Sequence, residues 1–302
     1  MSHGADSVRS IFFALGANVT IFVSKLGAAL VTGSGSMMAE SIHSLADCGN
    51  QLLLLVGIRH AKRPPSPDYP LGFGKAIYFW SFIVALMLFS MGGVYSIYEG
   101  IHKLHHPEPL SYPYVAVGVL LFSIIAESVS MWGCLREVNK VRQGRSLIKW
   151  FRETRQSDLL VVFGEDLAAL LGLCFALVAV IFTMLTGNPL YDAMGSIFIG
   201  VLLIVIAIMI GIQIQALLIG QSVEPQQRAQ ILDFLEQREE IDQVFNLLTL
   251  QLGSDVMVAV KAKMAVMSSA DALLKAINRC EAELKQTFPK VLWLFFEPDT
   301  ED

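Results

Sequence analysis

Six apolar runs, each long enough to cross a bilayer, constrain this chain more than any other feature of its sequence. They lie at about residues 10–31, 37–58, 77–101, 114–135, 159–185 and 193–218. A spanning helix needs roughly 17–25 largely apolar residues. Lipid offers no partner to backbone N–H and C=O groups, so such runs must be helices. The 302 residues would suffice for two soluble domains, but the balance of side chains points elsewhere. Hydrophobic residues make up 54%, charged residues 16%, and mean hydropathy is +0.56. Soluble domains carry about 25% charged residues. The net charge of −5 is mild and there is no long basic tract, which excludes a nucleic-acid-binding protein.

The basic residues are segregated. The links after the first, third and fifth runs (TGSGS, HKLHHPEPLSYP, TGNPLYD) hold one Lys and no Arg. Those after the second and fourth hold Arg59, Lys62, Arg63 and Lys75, then Arg136, Lys140, Arg142, Arg145, Lys149, Arg152 and Arg155. By the positive-inside rule these two links, and with them both termini, face the cytoplasm. The opening MSHGADSVRS has neither a secretory n-region nor the Arg-rich character of a transit peptide. It predicts insertion without trimming and points to a bacterial inner membrane. Cys48, Cys134, Cys174 and Cys280 are scattered, without C-x-x-C spacing, and read as reduced, mostly buried thiols.

The second run is interrupted by AESIHSLADCGNQ, with Glu40, His43, Asp47, Asn50 and Gln51 at spacings of three and four. On a helix these share one face. Ionisable groups at membrane depth mark an ion or proton pathway. His43 and Asp47, one turn apart, are half of a four-coordinate metal site. Span 1 carries Asn18 and Lys25; Lys25 either snorkels to an interface or pairs with Glu40 or Glu127. Span 4 places Glu127, Ser128 and Ser130 at depth, and Glu127 is a proton-coupling or outer-sphere candidate alongside Glu40, Asn50, Gln51 and Lys25. Span 5 carries Glu165 and Asp166, which point about 100° apart, so one of them faces a given site. Span 3, ending in YSIYEG, is a lipid-facing and dimer-forming surface. Span 6 contributes packing through Gly195, Gly200 and Gly211. The link KVRQGRSLIKWFRETRQ reads as an amphipathic helix on the leaflet surface. His102, His105 and His106 are either surface histidines or collectors of released metal, and His60 is an interfacial residue.

After Gly220 the pattern changes to a small α+β domain. Pro225 opens a charged helix; NLLTLQLG and DVMVAVKAKMAV follow as strands, the second alternating with period two. A helix capped by Ser268 or Ser269 and a last strand, VLWLFFEPD, complete the order αββαβ, a ferredoxin-like arrangement without histidine. The chain is thus an α-helical membrane protein, with a six-helix transport domain at 1–220 and a cytoplasmic domain at 221–302.

The segment TGSGSMMAESIHSLADCGNQLLLLVGIRHAKRPPSPDYPLGFGKAIYFW closely resembles the cation diffusion facilitators, in particular their zinc-transporter-9-like branch. The resemblance extends over nearly the whole chain. It implies a homodimer in the lipid bilayer that exports zinc or a similar divalent ion against protons, with a tetrahedral site from spans 2 and 5 and no organic cofactor. Carried over by position, His43 and Asp47 are the span-2 ligands. Aligning Asp166 with the span-5 Asp, Gly172 in register, puts Val162 where the family has His. Glu165, a water or Asn50 then completes the shell, or Glu165 is itself the main span-5 ligand. Tyr69 and Phe73 stand where a second site in the 2–3 link has histidines, so no metal is expected there, and the histidine-free C-terminal domain reads as a dimerisation module.

The expected chemistry is exchange without bond making, because metal and protons compete for the same ligands. Zinc is the first cargo. One imidazole with two or three carboxylate oxygens is a harder set than the two-His site and also admits Mn²⁺, Fe²⁺ or Co²⁺. Two other classes stand beside this. An intramembrane metallohydrolase needs a base and an open metal position, and no H-E-x-x-H occurs. A non-transporting regulatory subunit is the second, with the lost span-5 His as its argument.

Overall fold

The computed structural model describes residues 3–107 and 109–301, with side chains described from residue 16 onward except that of residue 17. The helices are α1 (His3–Thr32), α2 (Gly35–Ala61), α3 (Ala76–Met87), α4 (Tyr95–His105), α5 (Pro113–Val141), α6 (Leu147–Glu153), α7 (Ser157–Thr186) and α8 (Leu190–Ile219). They are followed by α9 (Pro225–Glu236), β1 (Ile241–Leu252), β2 (Asp255–Met264), α10 (Ala270–Thr287) and β3 (Val291–Pro298). The opening residues MSHGADSVRS lie largely outside the described side chains.

Among the described residues four helical stretches are long and apolar enough to cross a membrane: Ala76–His105, Pro113–Val141, Ser157–Thr186 and Leu190–Ile219. Helix α1 contributes a shorter apolar stretch, Asn18–Thr32. The 27-residue α2 carries the polar face that sets it apart from the others. Helix α1 stops at Gly33, whose φ of +67° lets its N–H reach back to the Ala29 carbonyl at 2.9 Å.

The third apolar run is not uniformly wound. A π-helical segment, Leu88–Val94, joins α3 to α4. It contains Gly92 and Gly93, both buried. A Cβ on Gly93 would stand 3.2 Å from the Gly200 carbonyl of α8, and one on Gly200 would stand 2.7 Å from the Gly93 carbonyl. Two backbones therefore touch where side chains would separate them. The glycine face of this run is thus packed against α8, while Tyr98 remains exposed. Of the three glycines expected to pack span 6, Gly195 meets Ala179 of α7 and Gly200 meets Gly93. Gly211 meets nothing within 4 Å and lines an open apolar groove with Phe82, Leu86, Phe89 and Ile208.

The chain divides into two compact units: 1–56, 80–146 and 158–213 form one, and 57–79, 147–157 and 214–302 form the other. Within the second unit, β1 pairs antiparallel with β2 and β2 pairs parallel with β3, giving the order β1-β2-β3. Alternation along β2 buries Val256, Val258, Val260 and Ala262. They pack with Ile231 and Leu235 of α9, Cys280 and Leu284 of α10, and Val291 of β3. Ser269 caps α10, its hydroxyl accepting from the Ala272 N–H at 3.2 Å. Pro225 sits in the first turn of α9, where the missing N–H has no partner to lose.

The same unit gathers two of the polar links. The Gly253 N–H, at the tip of the β1–β2 hairpin, donates to the Tyr78 hydroxyl at 2.9 Å. A Cβ on Gly74 would run into the Leu252 carbonyl, and one on Gly253, at φ +68°, into the Gly74 carbonyl. Arg155 Nε donates to the Ser222 carbonyl at 2.7 Å. Helix α6 buries Trp150 fully and leaves Ile148 exposed. An indole carries a large apolar area, so its burial anchors the seven residues.

Gly74→Ala should lower the thermal midpoint of the purified protein, since the added methyl forces backbone apart at a cost of about 1–3 kcal/mol; an unchanged melting curve would show that the hairpin tip is free to move away. Burial pushes the Cys280 thiol up to about 11, with Glu240 adding to it and Arg238 opposing. The thiolate is the reactive form, so Cys280 should stay unalkylated by iodoacetamide at pH 8 and become labelled on addition of denaturant, as read by mass spectrometry.

Candidate metal centre

Helix α2 presents its polar residues at the intervals the sequence requires, and the structure sorts them by partner. His43 is fully buried, with neither ring nitrogen hydrogen-bonded. Asp47 lies one turn on, its Oδ1 3.7 Å from His43 Nδ1 and likewise without a hydrogen bond. Asn50, also fully buried, donates through Nδ2 to Glu165 Oε1 of α7 at 2.5 Å, while its own Oδ1 stays unpartnered. Gln51 Oε1 is buried without a partner too. A row of unsatisfied lone pairs therefore runs down one side of α2. Each such group buried without a partner costs about 1–3 kcal/mol.

The two span-5 acids diverge, as adjacent residues on a helix must. Glu165 turns to Asn50 of α2, whereas Asp166 accepts from Ser130 of α5 at 3.2 and 3.3 Å. Lys25 of α1 resolves its alternatives: it pairs with Glu40, Nζ to Oε2 3.2 Å, and donates to Ser44 at 2.7 Å. It does not snorkel, since both partners are fully buried. The other oxygen of Glu40 has no hydrogen bond and lies against Gly172 of α7, where any side chain would collide with it. Glu127 makes no ion pair with Lys25 but stands within electrostatic range of Glu40, His43, Asp47 and Asp166.

Among the described residues no three His, Cys, Asp or Glu side chains stand close enough together to hold a metal ion. The donor set is nonetheless suited to one: an imidazole, a carboxylate and an amide oxygen, all short of partners, beside a second carboxylate one hydrogen bond away. In the second unit, Tyr69 and Phe73 are in ring contact at 4.5 Å, and His60 stacks on Phe73 at 5.6 Å. His102 lies between Tyr98 and His106, with ring centroids 6.3 and 5.2 Å away, and His105 Nδ1 bonds the Ile101 carbonyl.

Sequence reasoning missed two elements of this region. Asp192, at the start of α8, is buried and caps α2: its carboxylate accepts from Gly35 N–H at 2.6 Å, Ser34 Oγ at 2.7 Å and Ser36 Oγ at 2.5 Å. A carboxylate at a helix N-terminus meets free N–H groups and the positive end of the dipole. Lys103 of α4 closes the same corner on the Gly33 carbonyl. The available signal was the serine pair in TGSGS, which asks for a capping arrangement. The π-helical segment is the other: it seats Gly92 beside His43, where a Cβ would be 3.7 Å from Nδ1. Single π turns inside α-helices often mark functional sites, but the paired glycines alone did not disclose one.

Comparison with known proteins places these features in context. The proton-coupled zinc antiporter SLC30A9, mitochondrial, of Xenopus laevis is 36% identical over 248 residues, 81% of this chain and 44% of the relative. The protein of the same name from Homo sapiens is 36% identical over 227 residues, 74% of this chain and 40% of the relative. Metal tolerance protein C4 of Arabidopsis thaliana is 31% identical over 242 residues, 80% and 53% respectively. The chain thus spans about half, or less, of the relatives it matches. Their names correct the expected location: the two antiporters are mitochondrial, which overturns the assignment to a bacterial inner membrane. That assignment leaned on the opening residues, and those carry no weight beside relatives so much longer than the shared stretch. Residues 11–214 match the profile of the cation efflux transmembrane domain, and with the similarity to the SLC30A9 antiporters this establishes that the chain belongs to the cation efflux, or cation diffusion facilitator, family.

Proposed function

We propose that this protein exports divalent metal ions, zinc foremost, across a mitochondrial membrane in exchange for protons. The observation that carries the reading is the row of buried, unpartnered donors on α2: both nitrogens of His43, Asp47 Oδ1, Asn50 Oδ1 and Gln51 Oε1. Buried polar atoms are nearly always paired, and a row of orphans at one helix face is explained by a cargo that passes. In this reading α1 and α2 join the four strongly apolar helical stretches to make six spans, and residues 1–220 form the transport domain. Residues 221–302 form a ferredoxin-like domain that holds a homodimer, with the basic links and both termini on one side of the membrane.

His43 and Asp47 supply two ligands, and Glu165 is the third. Its carboxylate already reaches α2 through Asn50, whose free Oδ1 can complete the shell in place of the imidazole that Val162 removes. Asp166, bonded to Ser130, acts from outside that shell. Metal binding requires deprotonated ligands, so protons arriving from the far side compete for the same lone pairs and release the ion. The set is harder than a two-imidazole site, which leaves Mn²⁺, Fe²⁺ and Co²⁺ as secondary cargo.

Zinc titration of the purified protein should separate the two span-5 acids. Loss of an outer-sphere partner weakens metal affinity by about 10–100-fold. Glu165→Gln should exceed that range, whereas Asp166→Asn should remain within it; the reverse order would make Asp166 the ligand. In liposomes with an imposed pH gradient, parallel uptake of Zn²⁺, Mn²⁺, Fe²⁺ and Co²⁺ should show zinc flux that Asp47→Ala abolishes while the dimer still elutes intact. Flux surviving in Asp47→Ala would refute the site, and no flux of any ion in the wild type would turn the reading to a regulatory subunit.

A further inference from the structure

The Lys25–Glu40 pair lies on the same helix face as the donors assigned to the cargo, yet it carries its own cation. Helix α2 starts, at Gly35, on the side of the links that hold one Lys and no Arg. Glu40 is three residues nearer that end than His43, about 4.5 Å along the axis. On this helix face Glu40 is the next carboxylate from His43 and Asp47 towards that end. One oxygen of that carboxylate is held by Lys25, 3.2 Å away, and Lys25 is fixed in turn by Ser44 at 2.7 Å. The other oxygen is fully buried, has no hydrogen-bond partner, and lies against α7 where Gly172 has no side chain. A purely structural ion pair would have both oxygens satisfied, because breaking the bond to water is otherwise uncompensated. Here one lone pair is left ready for a second cation.

We propose that Lys25 is a tethered cation that competes with the transported ion for Glu40, and that the pair is the gate on the side of α2 where the Arg-free links lie. Passage requires the ion to displace the Lys25 ammonium from Glu40, and the returning ammonium then drives the ion off. The Asp192 cap on Gly35 and Ser36, about one turn beyond Glu40, is a second lock in series on the same helix. This inference rests on the transport reading given above.

Three variants of the full-length protein test it, with Zn²⁺ binding measured in detergent and Zn²⁺ turnover in liposomes. Lys25→Arg holds the carboxylate by a planar two-pronged grip that is stronger than an ammonium contact. Turnover should fall about tenfold, while zinc affinity stays within about twofold. Unchanged turnover would overturn the gate. Lys25→Met leaves Glu40 bare for the metal, so zinc should bind about tenfold tighter and leave more slowly; binding that is unchanged or weaker would overturn the competition. The double variant Lys25→Met/Glu40→Gln leaves no charge unpaired and should fold even where a single variant does not. It should bind zinc no more tightly than the wild type and turn over at least as fast, whereas a folded double variant without turnover would reduce the pair to a structural role. Should the wild type itself move no zinc, the transport reading alone falls, and the binding of zinc to Lys25→Met still decides whether Lys25 competes for Glu40.

Discussion

Inside a bilayer a polar atom has only the protein to satisfy it, and α2 carries more such atoms than any other apolar helix of this chain. Each solution the structure finds for them recruits a different element. Glu40 and Ser44 draw in Lys25 from α1, Asn50 draws in Glu165 from α7, and the free N–H groups at Gly35 and Ser36 draw in Asp192 from α8. Helix association within lipid has little hydrophobic drive, because the tails are as apolar as leucine. Polar contacts and close backbone approach must therefore decide which helices are neighbours. Three contacts radiating from one helix fix α1, α7 and α8 around it. The glycines do the rest where α8 meets the π-helical segment, letting the Gly93 and Gly200 backbones touch.

What stays unsatisfied after those contacts is as informative as what is satisfied. Both ring nitrogens of His43, Oδ1 of Asp47 and Oε1 of Gln51 have no hydrogen-bond partner among the described residues. Local chemistry does not compel this, since serines at 34, 36, 44 and 130 are all used elsewhere to satisfy carboxylates or an ammonium. Both carboxylate oxygens of Asp192 are paired, whereas the ring nitrogens of His43 and the Oδ1 of Asp47 are not.

Much of this was legible in the sequence because period and composition are local properties. The apolar runs, the three-and-four spacing around His43 and the alternation along β2 each follow from residues close in the chain. Less was legible wherever the answer depended on how one helix is rotated against another. The sequence could say that Glu165 and Asp166 diverge but not which one turns to α2. It offered Lys25 three fates without choosing among them. It read the link around Trp150 as amphipathic but could not say that the indole is fully buried. The close contact of Gly74 with Gly253 joins residues far apart in the chain and leaves no periodic trace at all.

The rotation of α7 shows how such a choice is made. Exchanging Glu165 for Asp166 on the side of α2 would require this helix to turn by about 100°. Three positions oppose that turn. Gly164 leaves room only for the Ile210 side chain of α8, Gly172 leaves room only for the Glu40 carboxylate, and Ala179 fits against Gly195 of α8. Turning α7 would bring side chains into all three spaces at once, and interiors packed this closely do not deform continuously. Gly164, Gly172 and Ala179 recur at intervals of eight and seven, two turns each, so they key one stripe of α7 against its neighbours. With that stripe fixed, Glu165 is the acid presented to α2 and Asp166 the one presented to α5. The acid that α7 presents to α2 is thus set by small residues that take no part in its hydrogen bond.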